Sequence, residues 1–205
     1  MATYADMQER IARELHRPDL TNEIKDAIKT AIRFYSSQRF VWNEYQWSFS
    51  TEPGVKYYST LTDDVMEIDS VTVTANSRIY QLDPMSYTDM DAIDAGTTPL
   101  AGYPRLWSWY AQQIRLYPTP NAVYSINVSG QRNYCDPVAD SYSSPWTNEL
   151  EELIRCRAKA DICAHFTYDD AMAQKMYGLE SKAFKSLKAQ SNKLISSGRI
   201  SATRF

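Results

Sequence analysis

Cys163-Ala164-His165 is the nearest this chain comes to a thiol beside an imidazole. On a helix, residues two apart point to different faces, so that pair could not exchange a proton, and Cys156 lies two turns away, as a buried stripe requires. The only other histidine is His16, and neither histidine falls in a metal-binding or nucleophile-elbow pattern. The carboxylate pairs Asp63-Asp64 and Asp169-Asp170 could serve acid/base work or hold a cation. No glycine-pivoted calcium loop surrounds either, and they read as solvated loop or helix-cap residues. The six glycines form neither a GxGxxG nor a GxxxxGK loop, so nucleotide binding has no support. No catalytic, metal or cofactor site is predicted, and the expected function is not enzymatic.

Binding chemistry is better represented. From Lys175 to Arg204 seven basic residues oppose only Glu180, while from Asp63 to Asp94 eight acidic residues oppose only Arg78. A basic helix face can grip DNA through counterion release, but the simpler reading is the solvated side of an amphipathic helix. Opposed charge at the two regions suits head-to-tail docking. The tryptophans Trp42, Trp47, Trp107, Trp109 and Trp146 have only Arg105 close by, whereas base stacking would want basic neighbours, and they read as packing or subunit-contact anchors. The formal net charge of −3 predicts no general attraction to nucleic acid. The three cysteines, an odd and scattered set, suit a reducing compartment. No apolar run approaches the roughly 20 residues of a membrane span, and no basic-then-apolar leader is present, so a soluble chain without membrane contact is expected.

These residues must be positioned by elements of both kinds. Thr3 and Asp6 make a capping box, after which Met7, Ile11 and Leu15 recur on one face up to Pro18. From Asp19 to about Gln38, Leu20, Ile24, Ala27, Ile28, Ala31, Phe34 and Tyr35 form a wide apolar stripe. The pattern then turns to sheet: Trp47 and Phe49 alternate, Val55 to Tyr58 is β-prone, and Asn76-Ser77 joins Ile68–Val73 to Arg78–Leu82 in a hairpin. Asp83-Pro84 predicts the cap of a brief helix over Met85–Ile93, ending near Gly96. The stretch 102–132 reads as a three-stranded antiparallel meander, with strands at Arg105–Tyr110, Ile114–Tyr117 and Val123–Val128. Ile114 and Leu116 should face the core while Arg115 and Tyr117 face water or a partner.

Asn133–Ser144 reads as a surface connection, and Ser144-Pro145 as the start of a central helix through Leu150, Leu153, Ile154, Ala158, Ile162 and Phe166. A last helix carries Met172, Met176, Leu179, Ala183, Leu187 and Leu194 on one face and ends at Ser196-Ser197-Gly198. The fold class is therefore α+β, a helical bundle of N- and C-terminal helices with an inserted antiparallel β-rich region. The expected divisions are 1–40, 41–143, 144–196 and an extended tail, 197–205.

This order of pieces, with Gly102-Tyr103-Pro104 followed by Leu116-Tyr117-Pro118-Thr119-Pro120, resembles the head-to-tail adaptor (connector) proteins of tailed bacteriophages, including those of short-tailed phages. The resemblance spans nearly the whole chain and is architectural, since none of its motifs is catalytic. It implies a virion protein at the head–tail junction, with about a dozen copies in a homo-oligomeric ring. Such a ring lies under the portal protein, extends the DNA channel without specific DNA binding and receives a tail nozzle or stopper protein. By the same resemblance the C-terminal segment docks on the portal, which points to Leu194, Ile195, Arg199, Ile200, Arg204 and Phe205. Trp107, Trp109 and Tyr117 of the β-region would face neighbouring subunits or the tail. A neck or stopper protein further down the tail is the alternative, and a virion-associated hydrolase a more distant one.

Overall fold

A computed structural model describes residues 2–59, 61, 65–96, 100–134, 137 and 139–196. Among these described residues, five α-helices and nine strands fall into two compact units, one comprising 1–43 with 134–205 and the other 44–133.

The helical unit holds α1 (Tyr4–Leu15), α2 (Thr21–Ser36), α4 (Glu151–Ile162) and α5 (Asp170–Ser196). The capping box is present: the Thr3 hydroxyl accepts from the Asp6 N–H, and the Asp6 carboxylate accepts from the Thr3 N–H. Backbone carbonyls of Asp140 and Tyr142 accept the N–H groups of Ala5 and Tyr4, so part of the expected surface connection closes the start of α1. α4 is the central helix, packed on α1, α2 and α5, with Leu153, Ile154, Ala158 and Ile162 fully buried. Trp146 and Phe40 meet edge to face in the same core.

Three local expectations for this unit change. Ser144-Pro145 starts a run of turns, and α-helix begins only at Glu151. The Ser144 N–H donates to the Thr147 hydroxyl, and the Ser144 carbonyl takes the Thr147 hydroxyl and Asn148 amide, a side-chain competition that delays regular helix. After Ile162 the chain passes through a π-helical turn, Cys163–Thr167, which rotates Phe166 out of the stripe and leaves it 52% exposed. On α5 the buried face is Ala173, Met176, Glu180, Ala183 and Ser191, and Leu179 lies to its side, exposed. The acidic member is held because Glu180 accepts from the Tyr35 hydroxyl and from Arg157 Nη1 at 3.3 Å. Arg157 in turn stacks on Phe34, 4.1 Å from the ring centre.

The second unit is a seven-stranded sheet in the order β1-β9-β3-β4-β6-β7-β2. Its strands are β1 (Glu44–Ser50), β2 (Tyr57–Tyr58), β3 (Val65–Ala75), β4 (Arg78–Pro84), β6 (Leu106–Tyr110), β7 (Gln113–Tyr117) and β9 (Ser125–Arg132). Two short strands, β5 (Ala101–Gly102) and β8 (Thr119–Pro120), form a separate parallel pair. One core takes Trp47, Val71, Val73, Leu82, Ile126 and Val128 from one half of the large sheet, and Trp107, Ile114 and Leu116 from the other.

The β3–β4 hairpin turns at Asn76-Ser77 as expected, both residues having positive φ. The three-stranded meander is corrected. β6 and β7 pair, but β9 leaves them to pair with β1 and β3. Pro118 and Pro120 lack the N–H that a ladder needs, so the chain is released between β7 and β9. Asp83-Pro84 does not cap the short helix. Those residues end β4, paired in parallel with Leu106-Trp107, and the helix α3 (Tyr87–Gly96) is capped by Ser86, whose hydroxyl accepts from the Asp89 N–H at 3.1 Å.

Arg115 was expected at a wet or partner face, yet it is 2% exposed. α3 covers that face. The guanidinium pairs with Asp91 and Asp94 and lies 5.2 Å and 5.5 Å from the ring centres of Tyr87 and Tyr57, while Lys56 reaches Asp94 at 2.9 Å. Lys56 foremost, then Arg115, holds the Asp94 carboxyl below the usual carboxylate range.

Three outcomes follow from these contacts. Ala111 and Gln112 occupy the β6–β7 turn at φ 49° and 61°, a left-handed geometry that costs side-chain-bearing residues roughly 1 kcal/mol each. Gln112→Gly is accordingly expected to raise stability by about 0.5–1 kcal/mol in urea denaturation. At Gly130 a Cβ would lie 2.1 Å from the Glu67 carbonyl oxygen, at the irregular register of β3, so Gly130→Ala should cost about 2–3 kcal/mol by the same assay. A depressed carboxylate stabilises fully above its unfolded value and loses that contribution as pH falls through its folded value. Melting of the wild type between about pH 5 and about pH 2 should therefore decline more steeply than that of Asp94→Asn, by about 1 kcal/mol for this partly exposed pair.

Candidate interaction surfaces

The two halves of the sequence signature are bonded to each other. β5 and β8 align Ala101 with Thr119 and Gly102 with Pro120; the Thr119 N–H donates to the Leu100 carbonyl at 3.0 Å, and the Arg105 N–H to the Tyr117 carbonyl at 2.9 Å. The Tyr117–Pro118 peptide is cis. Thr51 ties in the following segment, donating its hydroxyl to the Ala122 carbonyl and accepting the Tyr124 N–H at 2.8 Å.

This knot of loops carries Tyr103 between two other tyrosines. Its ring stands edge-on to Tyr80 at 5.4 Å and to Tyr124 at 5.6 Å between centres. The three rings line an open groove of about 830 Å³, bounded by the hairpin residues Thr74–Asn76, by Gln81 and Asp83 of β4, and by Pro104 and Arg105. Exposed Val123 completes one wall. The arrangement offers aromatic faces, one guanidinium and one carboxylate, a set suited to holding a peptide segment. Tyr103 was singled out in the sequence as part of a motif, whereas Tyr80 was read only as part of the Arg78–Leu82 strand. Its 43% exposure arises because β4 lies beyond the reach of β6 until Asp83.

A second surface is the C-terminal end of α5. Ser191 is its last buried side chain and accepts the Val41 N–H at 2.9 Å, while Lys188 Nζ donates to the Arg39 carbonyl at 2.7 Å. One turn further on, Leu194 continues the stripe of Leu187 and Ser191 but is 49% exposed, and Ile195 is 37% exposed. Arg199, Ile200, Arg204 and Phe205, expected to act with them, lie outside the described residues.

The expected β-region contacts differ among themselves. Trp107 is buried in the unit's own core, and Trp109 and Tyr117 are partly buried, with Trp109 packed against that core. Trp107 therefore offers little ring surface to a neighbour; its burial is accounted for by packing within the unit.

The residues that could do chemistry stand apart. Burial pushes the thiols of Cys156 and Cys163 up, away from a reactive thiolate, and His165 is exposed. The Asp169 carboxylate accepts the Met172 N–H at 2.9 Å, a helix-cap role. Asp63 and Asp64 lie outside the described residues. Among the described residues no group of three His, Cys, Asp or Glu side chains is placed to hold a metal ion, and no helix is long and apolar enough to cross a membrane.

No curated protein matches the chain. A family model described as SU10 adaptor protein matches residues 2–201, which takes in both halves of the signature, all five helices and every strand. With that match extending over both units, the chain belongs to the SU10 adaptor protein family and is a bacteriophage structural adaptor.

Proposed function

We propose that this adaptor sits at the head–tail junction of the virion, forms a homo-oligomeric ring on the portal protein, and extends the DNA channel to the point where a tail nozzle or stopper protein attaches. The observation that carries the reading is the end of α5, where Leu194 and Ile195 stay exposed one turn beyond the last buried contact, Ser191. An apolar helix end followed by Arg199, Ile200, Arg204 and Phe205 is the composition of a docking segment, with Ile and Phe filling grooves and Arg pairing with acidic groups of the portal.

Charge supports the same reading. The unit 44–133 carries ten acidic and five basic side chains, whereas the remainder carries fifteen acidic and seventeen basic. A β unit with net charge −5 repels the DNA backbone, as a wall that passes DNA without retaining it should. The basic C-terminal stretch is electrostatically suited to an acidic partner surface.

Light scattering of the protein alone and mixed with the portal ring of the same phage tests the reading. A portal-sized complex with roughly one adaptor copy per portal subunit supports it. Deleting residues 196–205 should abolish co-sedimentation with the portal while leaving the circular dichroism spectrum and melting temperature unchanged. Undiminished binding by the truncated protein would reject the docking role of the tail, and a full-length protein that ignores a competent portal would reject the adaptor position.

A further inference from the structure

Among the described residues the half-sheet β1-β9-β3-β4 has two open edges. β1 is the terminal strand, and residues 78–82 of β4 pair only with β3 among the described residues, since β6 joins β4 at Asp83 and Pro84 alone. An open edge presents unpaired backbone N–H and C=O groups and is a template for another strand unless lysine, proline or a bulge guards it. Between Tyr45 and Ser50, and between Ile79 and Leu82, there is no charged residue, no proline and no break in register. Both edges are accessible: Tyr45, Gln46, Ser48 and Ser50 are exposed on β1, as are Arg78, Ile79, Tyr80 and Gln81 on β4.

We infer that these two edges are complementary halves of one subunit contact, in which β1 of one copy pairs antiparallel with residues 78–82 of β4 in the next. The argument begins with direction. Every pairing within this half-sheet is antiparallel, and four strands alternate, so its two outer strands run in opposite senses. A second copy placed in the same orientation therefore brings its β1 to β4 with the polarity the sheet already uses. Such a contact is heterologous, using different patches on the two copies, and repeats around an axis to close a ring.

Side-chain rows give the register. On the outer face Ser48, Asn127, Thr72 and Gln81 lie in one row across the four strands, and Ser50, Ser125, Thr74 and Ile79 in the next. On the inner face the rows are Trp47, Val128, Val71 and Leu82, then Phe49, Ile126, Val73 and Tyr80. Continuing each row into a second copy sets Gln81 against Ser48, amide beside hydroxyl, and Tyr80 against Phe49, aromatic beside aromatic. A one-residue slip would put neutral polar side chains opposite the inner aromatics, so the pattern opposes any odd shift of this register.

This contact rests on the ring reading above and is tested separately from it. In a Cys135→Ser background, with Cys156 and Cys163 buried, the double variant Ser48→Cys and Gln81→Cys is treated with a short bismaleimide under conditions where light scattering reports the oligomer, alone or on the portal. The expected result is a ladder of covalent dimer, trimer and higher species, with neither single variant cross-linking. Dimers from Ser48→Cys alone would indicate a two-fold β1–β1 contact and overturn the proposal. An oligomer that forms without any ladder overturns the edge contact and leaves the ring standing. A chain that stays monomeric both alone and with the portal overturns both.

Discussion

The pairing of β1 with β9 is the constraint on which the rest depends. Glu44 opens the β unit and lies in register with Gln131 near its end, so the strands by which the chain enters and leaves are neighbours along seven aligned positions. Because the insertion begins and ends side by side, the helical unit can be assembled from two distant stretches of chain. Its core needs both: Met7, Ile28 and Phe40 come from the first 43 residues, and Trp146, Leu153 and Ile162 from beyond residue 133. The bare backbone of Gly130 belongs to the same constraint, since it lets β3 approach β9 closely where the register of that strand shifts.

Within each unit, a buried charge marks where a helix meets the surface that supports it. Glu180 brings α5 onto Tyr35 of α2 and Arg157 of α4. Arg115 draws α3 down onto β7 through two aspartates. Removing water from such groups is expensive, and the cost is offset only when several partners converge, as they do at both positions.

Membership of an adaptor family gives the surface features a common meaning. The β unit keeps its charge acidic and its sheet edges neutral, while the last turn of α5 remains apolar ahead of a basic segment. These features are what the proposed ring contact, portal docking and unhindered passage of DNA would require.

Local order is legible in the chain because it depends on neighbours in sequence. The Thr3–Asp6 capping box, the stripe of α2, the Asn76-Ser77 turn and the α+β class all follow from periods and turn chemistry that operate within a few residues. The signature around Gly102 and Pro118 was also visible there, although not that its two halves bond to each other. What only the tertiary structure decided is which element covers which. β9 carries the alternation of a third meander strand but pairs with β1 and β3, and no spacing in the chain encodes that choice. Arg115 alternates outward from Ile114 and Leu116, yet it is buried because α3, itself short and weakly amphipathic, lies over it. Leu194 keeps the period of a buried face and is half exposed because the burial on its helix ends at Ser191. In each case periodicity specifies a face, whereas burial requires a second surface, and that surface comes from a distant part of the chain.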